Sequence, residues 1–519
     1  MGDGKSYRLF VRGDLGAFFG LMLDNVTNLV ILAGILTGVF GFPLKFIFTH
    51  MIPGTALGVM FGDLAYTWMA YRMAKRTGRQ DVTAMPLGLD TPSTIGIAFA
   101  VLGPVYMESG DPMITWQVGM ATMMLIGVVK VVFSFAGDWI RRMVPQAGLL
   151  GSLAGIGVAL LGFLPMVTLF KMPIVGLVAF GLVLYSLVAK QELPFKLPGA
   201  AVAVLAGTAL YYLMGGFGWL GQEFHLPELT LRFTPPWPSL GFVDGLGRAL
   251  DFLPVAIPFG LLTIVGGINV TESARVAGDD YNTRDILLVE AVATLIAGAT
   301  GGVAQSTPYI GHPAYKAMGG RAGYTLATGL FIGLGGIFGF VSIIVDALPE
   351  AAVVPILIFV GLEIVSQTFS SCPKAHHSAV SLALLPTVAN LVLIQWSTLL
   401  GDLKVDLAAL PAKLAAQREV IILLGNGFIL TAMLWGAFAA HLADRKLFRA
   451  AVFLFICAAF SLFGVIHSVE PTGRLYLPWL VESTMPWRVG IGYAAFGLLL
   501  LLFRCIKQPD GEGGEGVRV

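Results

Sequence analysis

Two short stretches decide the fold: MPLGLDTPSTIG at 85–96 and VAQSTPYIGHPAY at 303–315. Each is polar and is interrupted by glycine and proline, although the segments around it are long and apolar. At membrane depth, the backbone N–H and C=O groups that such breaks free cost several kcal/mol unless protein or a water-filled cavity satisfies them. The two stretches therefore predict a binding site within a membrane.

The composition is that of a membrane protein. Of the 519 residues, 56% are hydrophobic and only 12% are charged, against about 25% charged in an ordinary soluble domain. A formal net charge of +1 excludes the broad basic surface that nucleic acid would need. Cys372, Cys457 and Cys505 give neither a disulfide framework nor a paired metal site. We predict no enzyme, no cofactor, no metal and no nucleic-acid partner.

Sixteen apolar segments are candidates for crossing the bilayer, which takes about 20 apolar residues per helix. They lie near 15–41, 46–71, 85–105, 113–136, 143–168, 171–189, 197–216, 250–274, 286–302, 303–318, 323–347, 351–369, 378–397, 419–441, 449–468 and 487–503. If the N-terminus is inside, alternate loops carry cations such as Arg72, Lys75 and Arg76, as the positive-inside rule requires. This predicts a multi-pass protein of the plasma (inner) membrane with both termini cytosolic.

The broken stretches occupy the third and tenth positions in this count. An offset of seven segments is odd, so the second unit would insert upside down relative to the first. A proline, an alanine and a glycine also recur with one spacing in segments five and twelve: Pro145, Ala147, Gly157 and Pro349, Ala351, Gly361. We therefore predict an all-α polytopic membrane protein built as an inverted repeat.

The first broken stretch offers candidate ligands for a solute. Asp90, Thr91 and Ser93 lie where a half-helix would begin, and the free N–H groups of a helix N-terminus attract anionic or polar groups. The alternative role of Asp90 is to cap that half-helix. One side chain could do both.

The second broken stretch offers a further set of candidate solute ligands: Gln305, Ser306, Thr307, Tyr309, Gly311 and His312. An imidazole changes its charge near pH 6.5, which would suit proton coupling at His312, although a histidine at such a place is also often a packing residue. Asn269 of segment eight would close the third side of the site.

Three carboxyl groups are candidates for carrying a coupling proton: Asp24, Asp90 and Glu272. Ionisable groups at membrane depth are costly and so tend to face a cavity or a partner. Hydrogen bonding between helices is the alternative for Asp24, and an ion pair with Arg275 is the alternative for Glu272. Asp63 is interpreted as a structural carboxylate that pairs across helices.

Five stretches carry a resemblance to a known family: VPQAGLLGSLAGIGVALLGF at 144–163, LPGAAVAVLAGT at 197–208, GDDYNTRDILLVEAVATLIAGATGG at 278–302, AMGGRAG at 317–323 and VVPILIFVGLEI at 353–364. In order and spacing they resemble the xanthine/uracil/ascorbate (nucleobase) permeases, and most of all the hypoxanthine/guanine permease branch. The resemblance implies a 7+7 inverted-repeat transporter fold with core and gate domains. It also implies symport of a nucleobase-like solute with H⁺ or Na⁺ by alternating access, in a protein that often forms homodimers.

On this fold the chain divides into four parts. Residues 1–216 form the first inverted repeat and 250–441 the second, with an extracytoplasmic loop at 217–249 between them. Residues 442–519 add two C-terminal membrane helices and a cytosolic tail beyond the fourteen segments of the family.

The same residues leave other functions open. Val265 and Gly311 stand where the permeases normally carry acidic groups that face the solute. Loss of both acids would suit an anionic solute held by half-helix dipoles, so a transporter or exchanger of a small anion on the same fold is the alternative hypothesis. A third hypothesis is a membrane-embedded enzyme built on four side chains in cytosolic loops: His376, His377, Asp279 and Asp280.

Overall fold

A computed structural model describes residues 7–135, 145–191, 193–194, 199–220, 224, 226–227, 230–236, 238–309, 311–403, 410–471 and 473–506. Its helices up to the middle of the chain are α1 Gly13–Gly38, α2 Leu44–Thr77, α3 Thr91–Ile97, α4 Gly103–Ser109, α5 Pro112–Ser134, α6 Gln146–Lys171, α7 Pro173–Val188, α8 Gly199–Gly216 and α9 Gly241–Val276. The later helices are α10 Thr283–Ala299, α11 His312–Ala317, α12 Gly323–Phe338, α13 Phe340–Ala347, α14 Glu350–Ser371, α15 Lys374–Leu400, α16 Ala412–Gly425, α17 Phe428–Ala443, α18 Leu447–Leu462 and α19 Met485–Ile506.

Within these described ranges, nine helices are long and apolar enough to cross a membrane, or up to eleven spans if each bent pair counts as one. The chain is thus a multi-pass membrane protein. The count is below the sixteen predicted segments because the broken segments and several short helices do not reach spanning length. Two segments predicted as single rods are instead bent, by 88° between α12 and α13 and by 69° between α16 and α17. Gly339 and Gly427 stand at these bends with φ of +81° and +67°, a backbone conformation that favours glycine.

Both broken stretches contain a short strand followed by a helix. The strands are β1, Leu87–Leu89, and β2, Ser306–Pro308, and they pair antiparallel. The facing residues are Leu87 with Pro308, Gly88 with Thr307, and Leu89 with Ser306. After β1 the chain continues as α3, a π-helical turn at Ala98–Leu102 and α4, whereas α11 after β2 is only six residues long.

The chain forms two compact units. The first comprises Met1–Met143 and Ile156–Ile364, and the second comprises Val144–Gly155 and Val365–Val519. Both strands and all the predicted solute-binding residues belong to the first unit. The core and gate domains and the four-part division remain predictions, and the expected cytosolic tail beyond 506 and parts of the 217–249 loop lie outside the described residues.

The matched residues of segments five and twelve have corresponding positions. Pro145 directly precedes α6, and Pro349 directly precedes α14. Further along these helices, a Cβ built on Gly361 would lie 2.5 Å from the carbonyl oxygen of Gly157. The two equivalent glycines therefore pack against each other, and a larger residue at 361 would displace the helix backbone.

The two additional C-terminal helices, α18 and α19, pack on α17 within the second unit. Phe438, Leu454 and Leu500 are buried in one apolar cluster there. The hydroxyl of Tyr493 accepts a hydrogen bond from the indole N–H of Trp435 at 2.7 Å, and its oxygen lies 2.7 Å from Nε2 of His467. The pair of helices is thus fixed by a polar network as well as by apolar contacts.

Candidate functional site

The two broken segments meet, as their sequences predict. Beyond the paired strands, the Asp90 N–H donates to the carbonyl oxygen of Gln305 at 2.9 Å, and the Tyr309 N–H donates to that of Pro86 at 2.9 Å. The pairing therefore extends one residue past β1 and into both flanks of β2. We call this region, residues 86–90 and 305–309, the strand crossing.

The outer edge of β1 is bound by polar side chains from α1 and α2. The Leu87 N–H donates to Oδ1 of Asp63 at 3.2 Å, and the Leu89 N–H donates to Oδ1 of Asn25 at 3.0 Å. Nδ2 of Asn28 lies 3.4 Å from the Leu89 carbonyl oxygen. An edge strand in a membrane needs such partners because lipid offers none. Asp63 was predicted to pair across helices, and here it instead accepts from the backbone of β1.

The outer edge of β2 is bound by a lysine that the sequence analysis missed. Lys130 of α5 is fully buried, and its ammonium donates to the carbonyl oxygen of Ser306 at 3.0 Å and to the hydroxyl of Thr294 at 3.2 Å. Glu290 of α10, also fully buried, lies 2.8 Å from the same ammonium. Lys130 is the one charged residue between 112 and 134, and Glu290 is the one between 286 and 302. A lone lysine and a lone glutamate in two otherwise uncharged apolar segments are the signal that could suggest such a pair.

Asp90 caps the helix that begins beside it. Its Oδ2 accepts from the Ser93 N–H at 3.0 Å, and its carbonyl oxygen accepts from the Thr94 N–H at 2.9 Å and from the Ser93 hydroxyl at 3.2 Å. Nε2 of Gln305 lies 3.5 Å from the same Oδ2, across the strand crossing. The capping alternative is therefore present in the structure, and Thr91 is the first residue of the capped helix.

Asp24 lies against the middle of the strand crossing. A Cβ built on Gly88 would be 3.2 Å from Oδ2 of Asp24, so a side chain at 88 would press on this carboxyl group. In the described part of the chain, this oxygen is buried without a hydrogen-bond partner. The same holds for five other oxygens on residues of the crossing and its flanking helices: Asn28 Oδ1, Asp63 Oδ2, Thr94 Oγ1, Gln305 Oε1 and Ser306 Oγ. Buried polar atoms are normally satisfied by protein or ordered water, so this concentration makes the strand crossing the candidate site.

The remaining predicted residues of the second stretch are divided between two environments. Thr307 and Tyr309 are half-buried at the crossing, and the Tyr309 ring stacks on that of Tyr315 with centroids 6.2 Å apart. Gly311 precedes α11 without a side-chain cap. His312 is buried, and its Nε2 lies 3.3 Å from Oδ2 of Asp279 and 3.2 Å from the carbonyl oxygen of Thr83.

Asp279 gathers several donors at the end of α9. Its Oδ2 accepts from the Lys316 ammonium at 2.7 Å and from the Thr83 N–H at 3.0 Å, and Arg79 lies 3.1 Å from its Oδ1. Burial alone would raise the pKa of Asp279, but hydrogen bonds from His312 and Lys316 outweigh it and hold the pKa below its usual value. The ionised carboxylate joins the segment before β1 to α11.

Two predicted residues of α9 are away from these contacts. Asn269 is exposed. Glu272 is also exposed, and its Oε2 accepts from Nε of Arg275 at 2.8 Å. The ion-pair alternative for Glu272 is thus the arrangement that the structure contains.

The chemistry available at the crossing is recognition of a polar or charged solute. No group of three or more His, Cys, Asp or Glu side chains in the described residues could hold a metal ion. The side chains named in the enzyme hypothesis have separate partners, because Asp279 binds Lys316 whereas His376 lies 2.7 Å from Asp444.

Neither a protein-family model nor a curated protein sequence matches the chain. Solved structures do match it. The transmembrane domain of BicA, a cyanobacterium bicarbonate transporter, is 17% identical, with a TM-score of 0.50 over 76% of this chain and 98% of that one. SLC26A9 is 12% identical, with a TM-score of 0.50 over 73% of this chain and 61% of that one. The murine anion transporter Slc26a9 in its inward-facing state is 13% identical, with a TM-score of 0.51 over 75% and 68%.

These structures overturn the resemblance to nucleobase permeases. The proteins that the chain matches are a bicarbonate transporter and a solute carrier 26 anion transporter, which belong to a different family of the same fold. The stretches that suggested the permeases have packing and anchoring roles here: Gly157 packs on Gly361, and Asp279 forms the ion-pair cluster. Such residues stabilise the fold and do not indicate which solute is bound.

At identities of 12% to 17%, the likeness establishes the fold alone. The structures in question are those of membrane transporters, and the sequence-based prediction of fold class is confirmed. The chain has the 7+7 inverted-repeat transporter fold, with two further helices at its C-terminal end.

Proposed function

We propose that the protein is a secondary transporter that carries a small anion by alternating access, with the solute bound at the strand crossing. The observation that carries this proposal is the crossing itself. There, two interrupted segments of opposite direction meet, a helix begins directly after β1, and several buried oxygens lack hydrogen-bond partners among the described residues. The anion transporters of the same fold support the choice of solute.

The charges around the crossing bear on how an anion could bind. Asp24, Asp63, Asp90 and Glu290 supply four carboxyl groups, whereas Lys130 supplies one ammonium. If every group were ionised, an anion would meet a net negative field in a medium of low dielectric constant. Binding therefore favours a protonated carboxyl group, and we propose that a proton accompanies the anion.

Asp24 is the carboxyl group best placed to carry that proton. Asp63 accepts the Leu87 N–H, Asp90 accepts the Ser93 N–H, and Glu290 is paired with Lys130. Asp24 has a buried oxygen next to Gly88 without such a partner among the described residues. Glu272 is paired at an exposed position, so we assign it no part in coupling.

The test is uptake into proteoliposomes with an imposed inward proton gradient. Radiolabelled bicarbonate, sulfate, chloride and formate would be tested one at a time. We expect the gradient to drive accumulation of at least one of them in the wild type. Asp24→Asn should reduce this proton-driven accumulation at least tenfold while still inserting in the membrane.

Glu272→Gln is the matched control, and it should keep the wild-type response because its carboxylate is exposed and paired. Accumulation by Asp24→Asn at the wild-type rate would contradict the role of Asp24. Failure of the wild type to transport any of the four anions would contradict the proposed class of solute.

We also propose that both termini lie in the cytosol and that the protein resides in the plasma (inner) membrane, as the cation-rich end of α2 favours. The native cysteines permit a direct test, since Cys372 and Cys457 are buried and Cys505 near the C-terminal end is exposed. A membrane-impermeant thiol reagent should label Cys505 in inverted vesicles but not in intact cells. Labelling in intact cells would reverse the orientation. The homodimer stays a prediction.

A further inference from the structure

A cavity in the first unit is lined entirely by residues outside the strand crossing. Its volume is about 240 Å³, and it lies between the start of α2, the bend that joins α12 to α13, and the segment at 230–234. The other end of α12 adjoins the N-terminal end of α1, where Asp14 accepts the Tyr324 N–H. Because α12 has 16 residues, the two ends are about 24 Å apart. With the proposed orientation, the cavity faces the outside.

The backbone at the bend gives this cavity a helix N-terminus. Gly339, with φ of +81°, lines the cavity and immediately precedes α13, which is eight residues long. A Cβ on Gly339 would lie 2.7 Å from the carbonyl oxygen of Arg232, so only glycine permits this approach of the two chains. The Thr234 N–H also donates to the Ile337 carbonyl oxygen at 2.8 Å. The cavity wall is therefore built by backbone packing.

A buried hydroxyl group points independently to a ligand. Ser342, in the first turn of α13, lines the cavity and is only 7% exposed. In the described chain its Oγ is buried without a hydrogen-bond partner. A donor of this kind beside helix N–H groups is a common arrangement at anion sites. A buried hydroxyl group without a partner destabilises the folded protein.

The charged lining also favours an anion. Lys45 and Arg232 contribute two positive charges and Asp346 one negative charge, so the formal sum is +1. The positive end of the α13 dipole adds to this field. Thr49 and Thr234 provide further hydroxyl groups on the wall. The volume far exceeds the roughly 10–15 Å³ that one water molecule needs, so a tetrahedral oxyanion fits.

We propose that this cavity is a binding site for a phosphate group, supplied either by free phosphate or by the headgroup of an anionic phospholipid. The site shares no residue with the strand crossing. It is independent of the proposed transport function, so each proposal can fail without the other.

The experiment uses the full-length protein in phosphatidylcholine nanodiscs. Inorganic phosphate binding would be measured by calorimetry in these nanodiscs. A second preparation would use nanodiscs that also contain phosphatidylglycerol, and retention of that lipid would be measured by native mass spectrometry. We expect Lys45→Gln to weaken binding about tenfold and Ser342→Ala about threefold. Arg248→Gln is the matched control, because Arg248 is an exposed cation of α9 outside the cavity lining, and it should bind as the wild type does.

Binding of inorganic phosphate that Lys45→Gln weakens would identify free phosphate as the ligand. Retention of phosphatidylglycerol alone, reduced in Lys45→Gln, would identify the lipid headgroup. Absence of both in the wild type would overturn the proposal, as would equal binding by Lys45→Gln and Arg248→Gln. Ser342→Ala should leave anion uptake unchanged, which separates this site from the crossing.

Discussion

In the first broken segment, Asp90 ends the strand region and caps the following helix with its own carboxylate. In the second, Gly311 precedes α11 without a side-chain cap, and His312 is turned towards Asp279. The helix of the first break is thus capped by the residue directly before it, although side chains of α1 and α2 bind the strand β1. The second break has no such cap, and among the described residues only distant side chains bind it: Lys130 contacts β2, and the Asp279 cluster contacts α11. Equivalent positions in an inverted repeat can therefore depend on different kinds of contact.

This comparison predicts that the largest loss of stability will come from Lys130. Replacing it by methionine would leave Glu290 as an unpaired buried charge and the Ser306 carbonyl oxygen without its donor. Breaking a buried pair in this way costs about 3–5 kcal/mol. We expect Lys130→Met to lower the free energy of unfolding by that amount, measured by denaturant titration in detergent.

The double variant Lys130→Met with Glu290→Leu is the control for this prediction. Since it removes both charges, it should recover most of the lost stability. If Lys130→Met were as stable as the wild type, the second break would not depend on the buried pair.

A smaller effect is expected at Asp279. Asp279→Asn removes the charge that binds Lys316 and Arg79, which should lower the free energy of unfolding by about 2 kcal/mol at pH 7. Because the pKa of Asp279 is lowered in the folded protein, its stabilising contribution is complete above its usual pKa and is lost as the pH falls through the lowered value. Thermal unfolding from pH 7 to pH 3 should therefore show a difference between wild type and variant that shrinks with acid. A difference independent of pH would show that the ionised form is not what holds α11.

The smallest effect should come from the cap of the first break. Asp90→Ala removes the acceptor for the Ser93 N–H, a loss of about 1 kcal/mol, whereas Asp90→Asn keeps a good capping group. Thermal unfolding should thus separate the two variants. Asp90 is also a candidate for carrying the coupling proton. If Asp90→Asn abolished proton-driven uptake while remaining stable, coupling would involve the cap as well as Asp24.

The same contrast explains what could be predicted from sequence. Glycine and proline in an apolar chain identified both breaks, and the acid before Thr91 identified the cap, because these signals are local. The odd offset between the breaks gave the inverted repeat. These features follow from backbone chemistry within a few residues, so they are readable without a structure.

Long-range partners could not be predicted in this way. Lys130 stands more than 170 positions from Ser306, and nothing in its own helix indicates that it serves a strand edge. The contact between His312 and Asp279 depends on how the end of α9 meets α11, and no local feature of the sequence indicates it. The family assignment failed for a related reason, since packing glycines and anchoring loops are shared by transporters with different solutes.

Thr307 offers the most direct test of whether an anion occupies the strand crossing. Thr307 is half-buried opposite Gly88. In a background with Cys505→Ser, where the remaining native cysteines are buried, Thr307→Cys would be labelled with a small methanethiosulfonate reagent. We predict that an anion transported by the wild type slows this labelling several-fold at saturating concentration, and that a non-transported anion does not. Labelling at the same rate with and without the transported anion would contradict the account.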